Sequence, residues 1–110
     1  MANNKFDIIV TAFPFIEKTG TTKVRPAVIV SSDAYNKETD FVVVAMITSA
    51  KHSKLWNDMK INNHESLELK DASIIRMKFV NITKEAILHK IGKLDKANQE
   101  ELGVKLKDIF

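Results

Sequence analysis

The chain is predicted to be mainly β with a C-terminal helix, a small, strongly bent antiparallel sheet of the SH3-like barrel type. Three observations carry that prediction. Short apolar segments recur, either alternating with polar residues or β-branched throughout; turn-forming residues separate them; and near Asp95 the hydrophobic period changes from two to about 3.6. Six or so strands and one amphipathic helix fit a barrel of this size, while the pattern alone leaves the strand order open.

Phe6, Ile8, Val10 and Ala12 alternate with Asp7, Ile9 and Thr11, which predicts a first strand with one well-buried face. A polar loop is expected from about Phe15 to Val24, with Gly20 among threonines. Residues 26–31 (PAVIVS) and 40–47 (DFVVVAMI) are short and apolar on both faces, as in central strands. Between them SSDAYNKE has cap and turn chemistry and room for about one helical turn.

Leu55, Met59 and Ile61 suggest a weak strand, and INNHE after it a turn. Ile75, Met77 and Phe79 alternate with Arg76 and Lys78, predicting a half-buried strand with a basic outer face. Residues 87–94 (ILHKIGKL) form another, in which Gly92 marks a bulge or bend. Asp95 then suits a helix N-cap, and Leu102, Leu106, Ile109 and Phe110 make one apolar stripe for packing on the sheet. Gly103 inside that helix costs roughly 1 kcal/mol relative to alanine.

Composition bounds the rest. The 110 residues, 45% apolar and 28% charged, predict one soluble domain spanning 1–110. A chain of this length buries roughly two thirds of its unfolded surface and needs no staple. Without cysteine there is no disulfide framework, zinc knuckle or thiol nucleophile, which is compatible with a reducing cytoplasm. The N-terminus lacks a basic n-region, and the longest apolar run, FVVVAMI, is far short of the ~20 residues that span a bilayer. A soluble, cytoplasmic protein with no membrane partner is expected.

The net charge of +3 is too small to announce a nucleic-acid ligand, but its distribution is informative. Residues 18–25, 51–54 and 76–93 together carry +9, and the remainder of the chain carries −6. Basic segments that converge in space make a local site for an anion on a nearly neutral protein; solvated lysines on loops are the ordinary explanation of any one stretch.

Most catalytic templates are missing. His52, His64 and His89 have no metal-ligand spacing, and with three glycines there is neither a dinucleotide fingerprint nor a phosphate loop, so no metal and no cofactor are expected. A geometric inference remains. If 26–31 and 40–47 pair across the SSDAYNKE turn with Ser31 opposite Phe41, Arg25 falls opposite Ile47 and Thr48 opposite Val24. A guanidinium and a hydroxyl then stand side by side at one sheet end, between two basic segments. Pro26, lacking an N–H, suits a strand entry there, and a slip of one residue would reverse the facing. Arg25 can hold a phosphate by two parallel hydrogen bonds and Thr48 adds a neutral donor. On spacing alone a surface ion pair explains Arg25 equally well, and a threonine ending a strand is ordinary.

The opening FDIIVTAFPF, the segment RPAVIVSSDAYN, the apolar strand ending in ITS and the closing HKIGKL before an acidic-start helix resemble, in order and spacing, the MazF/PemK family of toxin endoribonucleases, over about residues 6–110. The resemblance implies an SH3-like barrel that acts as a homodimer and cleaves single-stranded RNA without a metal. It further implies a cognate antitoxin that blocks the RNA groove, with any contact to operator DNA made only through that antitoxin. The family's catalytic arginine and threonine fall on Arg25 and Thr48, with Ser49 in support. Many members carry Arg-Gly-Asp where this chain has Lys5, Phe6 and Asp7, and the loop 14–24 and segment 49–72 match poorly, so the RNA sequence recognised stays open.

The implied reaction is attack of the ribose 2′-oxygen on the adjacent phosphorus, leaving a 2′,3′-cyclic phosphate and a 5′-hydroxyl. Arginine keeps its proton and is a poor base; His89 or His52 could serve, although a solvated or structural histidine is the more ordinary finding for each. Lys18, Lys23, Lys51, Lys54 and Arg76 are the candidates for the RNA backbone. Phe15 and Trp56 are the candidates for base stacking, with the barrel core as the competing place for Phe15. The alternatives are a noncatalytic RNA- or protein-binding barrel and a gyrase-poisoning toxin of related fold.

Overall fold

The structure, a computed structural model, describes residues 3–16, 22–51, 55–67, 69 and 71–110, and side chains 13–16, 22 and 23 lie outside the description. The elements are β1 (Asp7–Ile16), β2 (Thr22–Ile29), α1 (Asp33–Glu38), β3 (Phe41–Ser49), β4 (Met59–Lys60), β5 (Ser73–Thr83), a 3-10 turn at Lys84–Ala86, β6 (Ile87–Lys93) and α2 (Lys96–Ile109). The strands form one antiparallel sheet in the order β4-β5-β3-β2-β1-β6. Its two end strands do not pair among the described residues, so the barrel-like sheet is bent rather than closed.

Apolar residues gather into two cores, one on each face of the sheet. On one face Ile8, Val28, Ala45, Ile47 and Ile75 pack with Met59, Ile61, Leu94 and α2 residues Leu102 and Leu106. On the other, Ile9, Ala27, Ile29, Val42, Val44 and Ile82 gather with Ala86 and Ile87. The central strands β2 and β3 are therefore buried on both faces, as their β-branched sequences predict. The first strand is a correction. Ile8 and Ile9 are both buried, and so are Asp7 and Thr11, because β1 lies inside the sheet between β2 and β6 and carries a core on each side. Its buried polar residues find partners in the N-terminal segment, the 3-10 turn and β6, although among the described residues Asp7 Oδ1 has an ion pair and no hydrogen bond. The Asp7 carboxylate accepts the Asn4 N–H at 2.9 Å and faces Lys90 and Lys93, while the Thr11 hydroxyl donates to the Ala86 carbonyl at 2.8 Å.

Strands β1 and β2 run further than the alternation indicates, up to Ile16 and from Thr22, and the expected loop of Phe15 to Val24 is correspondingly shorter. Their ladder breaks between Ala12 and Ile16, where Pro14 has no N–H to give. The turn of helix α1 forms as expected: Ser32 caps it by accepting the Tyr35 N–H, and buried Asn36 ties it to the Asn3 and Ser31 carbonyls. The weak strand expected over Leu55 to Ile61 is reduced to the two residues of β4.

In β6 the register shifts beside Gly92, the bend its glycine predicts. A Cβ at Gly92 would meet the end of the Leu67 side chain, which must shift to admit it, and the φ of 158° is one that other residues rarely adopt. Asp95 caps α2 through the Asn98 N–H at 2.8 Å, and the buried Asn98 amide then joins helix to sheet by accepting from Asn62 N–H and donating to the Lys60 carbonyl. Leu102 and Leu106 face the core, but the expected stripe ends early. Phe110 is 78% exposed, its ring resting 5.2 Å from Phe79 of β5.

Candidate active site

The β2–β3 ladder pairs Ala27 with Met46, Val28 with Ala45 and Ile29 with Val44, one residue out of step with the register expected from the turn. The connection causes the shift. Val30 N–H and Ser31 N–H both donate to the Val43 carbonyl, and the Ser31 hydroxyl accepts the Val43 N–H at 2.9 Å, so Ser31 closes the strand end instead of pairing with Phe41. The paired residues end at Ala27 and Met46, and the same index sum carried on to Arg25 would fall on Thr48 rather than on Ile47. Arg25 is opposite Thr11 on β1, and Thr48 is opposite Ile74 on β5.

Both residues line one open cleft of about 400 Å³ at the sheet end where β2 and β5 begin and β3 finishes. Val10, Pro26, Ile47, Leu69 and Ile91 supply its apolar surface; Arg25, Thr48, Ser49, Asp71, Ser73 and His89 supply its polar groups. Residues of both alternations contribute: Val10, Pro26 and His89 are cross-strand partners, whereas Arg25 is opposite Thr11 on the other alternation. Ser49 pairs with Ser73 across the β3–β5 ladder, and its hydroxyl accepts the Lys51 N–H at 3.2 Å, which orders the chain as it leaves the sheet. Such a cleft offers a guanidinium, neutral hydroxyls and apolar surface beside one carboxylate, Asp71, and the guanidinium and hydroxyls are groups suited to holding a phosphodiester.

The other expected residues are distributed around it. Lys51 is exposed on the turn after β3. Trp56 is 74% exposed in a turn held by Asp58, whose carboxylate accepts the Leu55 N–H at 2.8 Å and pairs with Arg76 at 3.3 Å. Arg76 thus fastens this turn to β5 and does not line the cleft. Lys18, Lys54 and His52 lie outside the described residues, and Phe15 and Lys23 stand on β1 and β2 with side chains that are not described. Asp71 and the apolar wall have no signal in the sequence, since only tertiary packing brings Leu69, Asp71 and Ser73 beside the end of β3.

A bent antiparallel sheet backed by a C-terminal helix, with an open cleft at one sheet end, defines a small barrel-like fold. The chain belongs to the PemK-like, MazF-like family of toxins of type II toxin-antitoxin systems, whose profile matches residues 4–110. Solved structures agree in fold. MazE-MazF from Deinococcus radiodurans is similar with a TM-score of 0.76 at 14% identity, covering 99% of this chain and 96% of that one. An endoribonuclease in complex with its cognate antitoxin from a Mycobacterial species gives 0.72 at 15% identity, covering 96% and 89%. No curated protein sequence matches the chain. No helix among the described residues is long and apolar enough to cross a membrane.

Proposed function

We propose that this chain is the toxin of a type II toxin-antitoxin pair and an endoribonuclease that cleaves single-stranded RNA, messenger RNA included, by metal-independent transesterification. The observation that carries the reading is the common cleft of Arg25 and Thr48, two residue types that together stabilise charge on a phosphoryl group. The nucleophile is the substrate's own 2′-oxygen, so no nucleophilic side chain is required. Arg25 takes up the negative charge that grows on the non-bridging oxygens, Thr48 donates to the same group, and Ser49 supports it from the next position. Removing one such donor costs about 3 kcal/mol of transition-state stabilisation.

The RNA path follows the basic segments. Lys51 and Lys54 after β3, with Lys18 and Lys23 before Arg25, neutralise the backbone, Arg76 adds positive charge on β5, and Trp56 and Phe15 stack bases. The working unit is a homodimer of 110-residue single domains in the cytoplasm, restrained by a cognate antitoxin that also makes any contact with operator DNA. Solved relatives named as an endoribonuclease with its cognate antitoxin and as MazE-MazF support that partnership.

The test is incubation of the purified protein with single-stranded RNAs of varied sequence in EDTA, with analysis of the ends. Fragments ending in 2′,3′-cyclic phosphate and beginning with 5′-hydroxyl are expected. Absence of cleavage across all sequences would favour the noncatalytic barrel or the gyrase poison.

A further inference from the structure

Trp56, the single tryptophan of the chain, is 74% exposed, and Leu55 beside it is 47% exposed. No hydrogen bond or ring contact among the described residues engages the indole. The backbone that carries it is nevertheless fixed on both sides. Leu55 N–H donates to the Asp58 carboxylate at 2.8 Å, and Asp58 N–H donates to the Leu55 carbonyl at 3.2 Å, which closes the four residues into one turn. That carboxylate is buried and pairs with Arg76 of β5 at 3.3 Å. Met59, the residue after the turn, is buried in the first core.

A further tie comes from the C-terminal helix. Lys105 of α2 donates from Nζ to the side-chain oxygen of Asn57 at 2.6 Å, and Glu101, one helical turn back, stands 4.0 Å from the same ammonium. Asn57 has a φ of 65°, a left-handed conformation that asparagine adopts more readily than most residues. Ordering a long lysine side chain costs rotamer entropy, and a polar contact at the surface returns little stability. The consequence of this tie is local: it fixes Asn57, and with it the direction in which the neighbouring indole is presented.

We propose that Lys105 is a positioning residue for RNA, holding the Trp56 turn as a stacking platform that is ordered before the ligand arrives; the proposal rests on the reading of Trp56 as a base-stacking residue. Every base has a flat face, so stacking on an indole tolerates any sequence. An ordered platform avoids the entropy lost when a mobile side chain is immobilised on its ligand, worth about 2–10-fold in affinity. Met59 is opposite Ile75 and Lys60 opposite Ile74, so the turn stands toward Arg76, up the strand from the cleft residue Ser73. Trp56 therefore takes a base away from the scissile phosphate, and its effect falls on binding.

The test titrates each protein, over a salt series, with a single-stranded 2′-O-methyl RNA of mixed sequence, which has no free 2′-hydroxyl and is not cleaved. Trp56 is the single tryptophan, so fluorescence reports this turn directly. RNA should quench it in the unaltered protein, and Trp56→Ala should bind about 5–150-fold more weakly. Lys105→Met and Asn57→Gly should each lower the fluorescence anisotropy of the free protein and weaken binding about 2–10-fold at unchanged salt slope. The double variant should bind no more weakly than either single one, since both remove the same contact, and Lys105→Arg, which still donates, should restore most of the affinity. If RNA quenches Trp56 and Trp56→Ala binds weakly while Lys105→Met binds like the unaltered protein, the positioning role is overturned alone. A flatter salt slope with unchanged anisotropy in Lys105→Met makes the lysine a phosphate contact and also overturns it. Binding without quenching, or full affinity in Trp56→Ala, overturns the stacking role of Trp56 and this inference together, and no binding at all overturns the RNA reading with them.

Discussion

Thr11 stands directly opposite Arg25 in the β1–β2 ladder, fully buried, with its hydroxyl donated to the Ala86 carbonyl at 2.8 Å. It fastens the start of β6 to the strand beside the proposed catalytic arginine. Replacing it with the isosteric valine removes one hydrogen bond and strands a carbonyl, so Thr11→Val should lose about 1–2 kcal/mol of stability, read as a lower urea midpoint at unchanged slope. Cleavage should fall much less than in Arg25→Ala, since the valine keeps the volume behind the strand.

Arg25→Ala and Thr48→Ala should each lower cleavage by about 10²–10³-fold with the circular dichroism spectrum intact. Both residues are only partly buried, so neither supports a core. Arg25→Lys tests geometry: it keeps the charge but not the two-pronged donor, and most of the loss should remain. A scissile 2′-deoxyribose should abolish cleavage. Full activity in Arg25→Ala would move the site elsewhere.

Lys51→Ala and Trp56→Ala should weaken RNA binding for different reasons. The lysine is exposed, and its removal should flatten the salt dependence of binding by about 0.7 in log–log slope, one phosphate contact on a single strand. The indole is exposed on a turn braced by Asp58, and its loss should cost about 1–3 kcal/mol of affinity at unchanged salt slope. Filter binding over a salt series separates the two. Equal slopes for Lys51→Ala and the unaltered protein would take the RNA off this turn.

Gly92→Ala should destabilise by about 1–3 kcal/mol, because its methyl enters the space of the Leu67 side chain. Combining it with Leu67→Ala should give less than the sum of the two single losses, since the truncated side chain makes room. Additive losses in denaturant melts would mean that the backbone at Gly92, rather than the contact, sets the requirement.

Much of this protein was legible where physics is local. The β-branched runs of β2 and β3, the Ser32 and Asp95 caps, and the period change into α2 depend on neighbours within a few residues, and they appear where the pattern puts them. Phe6 shows the limit. The alternation places it in the first strand, yet it stands in a turn before β1 with a φ of 74°, in the left-handed region where the Arg-Gly-Asp pattern has glycine. Its ring, packed against the first core, accompanies a backbone conformation that a side chain makes costly by roughly 1–2 kcal/mol.

The residues of the site were separable from their geometry. An arginine before proline and a threonine at a strand end were readable in the chain because each is a local feature, and the family pattern joined them. Their register was not, because the decision lies in three hydrogen bonds between residues 30–31 and Val43, a contact across a helix-containing turn that no period encodes. The same holds for the fold. Alternation specified strands and a packing helix, while the second core on the Ile9 face, the burial of Asp7 and Thr11, and the meeting of β6 with β2 around a common cleft came from the bending of the sheet. Burial of two faces is a property of the whole chain, set by how much apolar surface distant strands can hide together.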